Sequence, residues 1–181
     1  YENFLLPTEN WQKYDVVGIS IVGISQIIPG LTLARMIKEK YPHLHITLGG
    51  PIFSVNAGQL IGHPEFFDDF CHSVVTFEGE EPMHRLLSAL KAGDSLSTVP
   101  NLLHLDGREV VQNKERVELR FEELPNPDFE GLPMDKYLSP YPILPVLQSR
   151  GCYWGKCTFC THSFVYGHRY GKQKTQAMVD E

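Results

Sequence analysis

An α/β fold, an incomplete doubly wound sheet of the Rossmann or flavodoxin type, is predicted for residues 1–120 of this 181-residue chain on three observations. Two short apolar runs rich in β-branched residues, DVVGISIVG (15–23) and HITLGG (45–50), end in glycines. Runs of that kind suit parallel strands buried on both faces. A helix-length amphipathic stretch separates them, so the three segments form one βαβ unit, whose crossover is expected to be right-handed. The alternation then repeats, with HSVVTF (72–77) as a third strand and a further helix after it.

Each element has its local reasons. The first helix carries Pro29 in or near its first turn, sets Leu33, Met36 and Ile37 on one face, and should stop before Pro42. Residues 56–61 read as a short helix. The helix opened by EGEEP places Met83, Leu86, Leu87 and Leu90 at i, i+3, i+4 and i+7, with Glu80, Glu81 and Pro82 in its first turn and Gly93 at its end. LLHLDGREVV then predicts a hairpin turning at Asp106-Gly107. Residues 121–142 are dense in proline and lack periodicity, which predicts a linker. ILPVLQSRG (143–151) predicts one more strand, and the final residues from Gly171 read as the start of a helix. A doubly wound sheet usually has about five parallel strands; only three precede the hairpin, so a fragment cut at both ends is expected.

Composition narrows the function classes. A formal charge of −6, with the basic residues interleaved among acids, gives no footprint for nucleic acid. No apolar run approaches the roughly 20 residues that span a bilayer, and no signal peptide is visible. Three of the four cysteines cluster and Cys71 stands alone, which argues against a disulfide framework and for a reducing cytoplasm. Cys71 is expected to pack as a small apolar residue. Glu78, Glu80 and Glu81 read as helix-start charges, and the histidines at 63, 72, 84, 104, 162 and 168 show no spacing that commands a metal.

The chemistry lies in RGCYWGKCTFC. Cys152, Cys157 and Cys160 put three thiols in nine residues, spaced C-x4-C-x2-C, on a loop after a strand. Three thiolates can hold three irons of a cubane cluster and leave the fourth iron open to a small molecule. A Cys3His zinc site using His162 and a set of unligated thiols are the alternatives.

SRGCYWGKCTFC also resembles the cluster signature of the radical S-adenosylmethionine enzymes, with one residue more than their usual C-x3-C-x2-C. DVVGIS, LARMIKEKYPHLHITLGGP, VVTFEGEEPMHRLLSAL and the linker with ELPNPDF resemble, in order and spacing, the cobalamin-binding domain that precedes the barrel in one branch of that superfamily. The resemblance implies a cobalamin-binding-type domain over 1–120, a linker over 121–142, and the first strand and cluster loop of a (β/α) barrel over 143–181. It implies Cys152, Cys157 and Cys160 as ligands of a 4Fe-4S cluster, Phe159 beside the adenine of S-adenosylmethionine, and Tyr153, Trp154, Gly155 and Lys156 shaping the loop. Ser20, Gly49, Gly50 and Gly79 would line the nucleotide tail of cobalamin. The glycines suit such a role on physical grounds too, since ligands of open α/β sheets bind beyond the carboxyl ends of strands.

The activity so implied is reductive cleavage of S-adenosylmethionine to a 5′-deoxyadenosyl radical. Methyl transfer or rearrangement on an unactivated carbon follows, in a cytoplasmic enzyme served by a one-electron reductant protein. Its substrate would be a small molecule or peptide, with neither nucleic acid nor membrane as partner. A barrel takes roughly 200 residues or more, so the isolated chain is expected to be inactive. A non-catalytic cobalamin- or zinc-binding module is the competing expectation. The resemblance puts the D-x-H-x-x-G cobalt-ligand loop of base-off cobalamin proteins before Tyr1, so the lack of that string within the chain decides nothing about cobalamin.

Overall fold

The computed structural model describes residues 1–3, 5–125 and 127–173. They divide into two compact units, Tyr1–Glu118 and Leu119–Glu181.

The first unit is a mixed α/β domain around a five-stranded sheet of order β1-β2-β3-β4-β5. Strands β1 (Val16–Ser20), β2 (His45–Gly49) and β3 (Ser73–Val75) are parallel, in register Val16↔His45 and Thr47↔Ser73. The hairpin β4 (Leu102–Asp106) and β5 (Glu109–Gln112) adds antiparallel to β3. Asp106 pairs with Glu109, so the two-residue loop is Gly107-Arg108. The turn thus sits one residue later than Asp106-Gly107 suggests, because glycine takes the first loop position, where φ is +64°.

Helix α1 (Ile27–Lys40) buries Ala34 and Ile37 and packs Leu33 and Met36 against the core. Helix α2 runs Pro51–Leu60, five residues earlier than expected, because Pro51 pre-sets the first turn behind the glycine pair. Helix α3 (Pro64–Phe70) was not foreseen; its seven residues bury Phe67 completely. Helix α4 (Glu80–Ala92) carries Glu80 and Glu81 in its first turn and ends on Gly93 in the left-handed conformation. Its buried face is Pro82, Leu86 and Ala89, while Leu87 turns outward. Ile46, Leu48, Val74, Leu103 and Phe67 form the dry centre between α1, α2, α3 and the sheet. Burying each such side chain contributes about 1.5–3 kcal/mol.

In its described residues the second unit does not show the expected barrel start. Among the described residues it is a two-stranded antiparallel ribbon, β6 (Ser149–Gly151) with β7 (Tyr170–Lys172), and a short helix α5 (His162–Val165) between them. The strand expected over 143–151 is confined to its last three residues. Pro145 lacks a ladder donor, and Ile143, Leu144, Val146 and Leu147 are exposed, with no strand among the described residues to pair them. The helix expected from Gly171 gives way to β7 at Gly171 and Lys172, and residues 174–181 lie outside the described residues. Among the described residues of 121–142 there are two 3-10 turns, and Phe121 is buried: a methyl on Gly171 would stand 2.8 Å from its Cβ. Arg169 Nη1 donates to Leu119 O at 3.0 Å, which fixes the start of this unit.

Candidate functional site: a glycine-walled cleft and a three-thiol loop

The carboxyl ends of β1, β2 and β3 border a cleft of about 350 Å³. Ser20, Gly49, Gly50 and Gly79, singled out from the sequence, all line it, with Gly18, Ile19, Thr47, Leu48, Val75, Phe77 and Met83. Parallel pairing brings them together: Ser20 lies opposite Gly49, the last residues of their strands. The glycines do different work. Gly50 has φ +110°, and a methyl on it would stand 2.2 Å from Ile21 O, so this position admits no side chain. It also caps α2, where its carbonyl accepts from the Phe53 N–H at 3.2 Å. A methyl on Gly49 or Gly79 would meet only ordinary contacts, Val75 O at 3.6 Å and Val75 Cγ1 at 3.8 Å. These two glycines therefore leave room in the cleft instead of relieving a clash.

Sequence reasoning missed Phe77, Thr47 and Met83. Phe77 follows β3 at the same carboxyl edge as Ser20 and Gly49, so the strand-end rule that selected those residues reaches it as well. Glu78 is buried rather than a helix-start charge; α4 begins at Glu80, and Arg85 pairs with Glu81 at 2.7 Å.

At the other end of the sheet two histidines meet. His45 and His72 stack with ring centroids 5.1 Å apart. His72 Nδ1 accepts the Ile46 N–H at 2.9 Å, which puts any proton of the neutral ring on Nε2. His45 Nε2 lies 2.9 Å from Ser73 Oγ. Burial, then the charges of His72 and Lys38, push His45 down to about 4, and His72 is lowered by burial and by Lys38. Lys38 Nζ donates to the carbonyls of Phe67, Asp68 and Cys71 at the end of α3, and burial lowers its pKa. Cys71 packs in the core as expected, its thiol pushed up to about 12 by burial.

In the second unit, the loop between β6 and α5 carries Cys152, Cys157 and Cys160 as free thiols, the last two exposed. Gly151 starts it at φ +84°, where a methyl would stand 2.0 Å from Arg169 O. Gly155, at φ +59°, donates its N–H to Cys152 Sγ at 3.4 Å, and the Cys160 N–H bonds Cys157 O at 3.3 Å. Phe159 is 88% exposed, and Trp154 lies outside any packed core, with Lys156 Nζ 5.5 Å from its ring centre. His162 opens α5 and packs its ring on Tyr166 at 4.8 Å. The donor set suits an iron–sulfur cluster chemically: three free thiols on one glycine-anchored loop. Among the described residues no three His, Cys, Asp or Glu close into a metal-holding group.

Comparison with known proteins bears on the fold. No family model matches the chain. An uncharacterized methyltransferase of Pyrococcus horikoshii, PH0819, is 28% identical over 169 residues, 92% of this chain and 36% of that protein. The radical S-adenosylmethionine methyltransferase TsrM of Kitasatospora setae, solved with cobalamin and a 4Fe-4S cluster bound, superposes with a TM-score of 0.63 at 20% identity. That match covers 96% of this chain and 36% of TsrM. The cobalamin-dependent S-adenosylmethionine radical enzyme OxsB, with aqua-cobalamin bound, gives a TM-score of 0.73 at 24% identity over 93% of this chain and 23% of OxsB. The chain shares the fold of one part of these enzymes. It spans about a third of the methyltransferase relative's length. No described helix is long and apolar enough to cross a membrane.

Proposed function

We propose that the chain is part of a cobalamin-dependent radical S-adenosylmethionine enzyme, with residues 1–120 serving the corrinoid and 143–181 the iron–sulfur loop. One observation carries this reading: a glycine-walled cleft at the carboxyl ends of three parallel strands and three free thiols in nine residues occur on one chain. The fold likeness to TsrM and OxsB supports it.

Cys152, Cys157 and Cys160 are the proposed thiolate ligands of a 4Fe-4S cluster, and Phe159 the neighbour of the S-adenosylmethionine adenine. Ser20, Gly49, Gly50 and Gly79 are the proposed cradle of the cobalamin nucleotide tail. When bound, the cluster supplies one electron for cleavage of S-adenosylmethionine and cobalamin supplies a carrier for a methyl group. The chain's own part is positional. Gly50 brings backbone to the cleft floor, Gly49 and Gly79 keep that floor open, and the Gly155 N–H donates to a ligand sulfur, a bond of the kind that tunes cluster potential. The electron comes from a one-electron reductant protein in the cytoplasm. The outcome is methyl transfer or rearrangement on an unactivated carbon of a small molecule or peptide.

Anaerobic reconstitution with iron and sulfide, followed by metal analysis, tests the loop. About four irons per chain are expected, lost in Cys152→Ala, Cys157→Ala and Cys160→Ala. Zinc in place of iron, or no metal, overturns the cluster assignment, and corrinoid uptake without iron would leave a non-catalytic binding module.

A further inference from the structure

Phe77 stands where a bulky residue is costly. Its φ is +60°, the left-handed region, which is a genuine outlier for a large side chain. The surroundings over-determine that conformation. Its N–H donates to the buried Ser54 Oγ at 2.7 Å, and both the amide and the hydroxyl of Thr76 donate to Asn101 O at 2.9 Å. The Arg116 guanidinium carbon lies 3.7 Å from the centre of the Phe77 ring.

The ring belongs to neither buried core cluster of the first unit. It lines the glycine-walled cleft and also a second, polar pocket of about 340 Å³ beside Asn101, Asn113 and Arg116. Strain of this kind persists where the structure enforces it, and it clusters at ligand sites.

We propose that Phe77 is the specificity-determining wall of the cleft: its ring, braced by Arg116, stacks against a planar heteroaromatic group of the bound ligand. This rests on the cobalamin reading, under which that group is the benzimidazole of the nucleotide tail. Heteroaromatic bases stack favourably on aromatic side chains, and the ring is expected to be worth about tenfold in affinity.

The test compares aquocobalamin with dicyanocobinamide, a corrinoid without the benzimidazole nucleotide, each titrated into the full chain and followed by equilibrium dialysis. Wild type should prefer aquocobalamin. Phe77→Gly should weaken aquocobalamin about tenfold and leave cobinamide unchanged, and Phe77→Trp should keep the preference. Glycine also relieves the left-handed strain, so the Phe77→Gly melting temperature should lie within about 3 °C of wild type or above it. Unchanged discrimination in Phe77→Gly, or a melting temperature far below wild type, overturns the assignment and makes the ring a packing residue. Wild type that takes up neither corrinoid sinks the cobalamin reading itself, a result distinct from both.

Discussion

Mild acid should loosen the first unit, and His45 sets the size of the effect. In the fold its ring is stacked on His72, bonded to Ser73 and close to Lys38, and its pKa lies at about 4 against an ordinary 6.5. The unfolded chain therefore takes up a proton near pH 6.5, while the folded chain resists until about pH 4. Folding favours the neutral ring, so its contribution is complete above pH 6.5 and is lost as pH falls through the window down to 4. At pH 5 the two pKa values cost about 2 kcal/mol relative to neutral pH. His72 adds in the same direction, since a proton on Nδ1 would break its bond from the Ile46 N–H. The charges facing the pair are Lys38 and the two rings themselves. Urea unfolding at pH 7.5 and pH 5 measures the effect. With an m-value of roughly 2 kcal/mol/M, the midpoint should drop by about 1 M. His45→Gln should be less stable at pH 7.5 but should lose much of the drop. An unchanged wild-type midpoint, or an equal drop in His45→Gln, would refute the reasoning.

Three further outcomes are expected. Gly50→Ala should destabilise by about 2–4 kcal/mol in thermal melts, since it adds backbone contact at 2.2 Å to left-handed strain, whereas Gly49→Ala should melt like wild type and bind aquocobalamin more weakly. Lys38→Met should cost about 1.5–3 kcal/mol in urea unfolding, because three carbonyls at the end of α3 lose their charged donor. It should also shrink the acid drop, since Lys38 lowers both histidines. Cys71→Ser should lower stability by placing a hydroxyl in the core while leaving reconstituted iron content unchanged, in contrast to any change at Cys152, Cys157 or Cys160.

The parallel strands, α1 and α4 were legible because their signals are local: apolar runs stopped by glycine, an acidic first turn, a glycine cap. Helix α3 was not, since PEFFDDF is too short to show a period and is held by burial of Phe67 and by Lys38, 29 residues away. The apolar run 143–147 reads as a buried strand, but a strand forms only where a neighbour completes its ladder, and β7 reaches only residues 149–151. At the site, glycines announce themselves while their neighbours do not. Gly49 and Gly50 stand out in any reading of HITLGG, but Phe77 needs the strand register before its place at the same edge is apparent. The His45–His72 stack needs that register too, because each residue lies at or just before the amino end of its strand.

Four of the eleven residues around the cleft are glycines, and at Gly50 the main chain packs too closely for any substitute. Where the wall is main chain, as at Gly50, its shape follows from the path of the chain and not from the choice of side chain. Changes in what such a cleft accepts fall most readily on positions that carry or can take a side chain, Met83 and Phe77 among the first, Gly49 and Gly79 among the second, where an added methyl fills space without a clash.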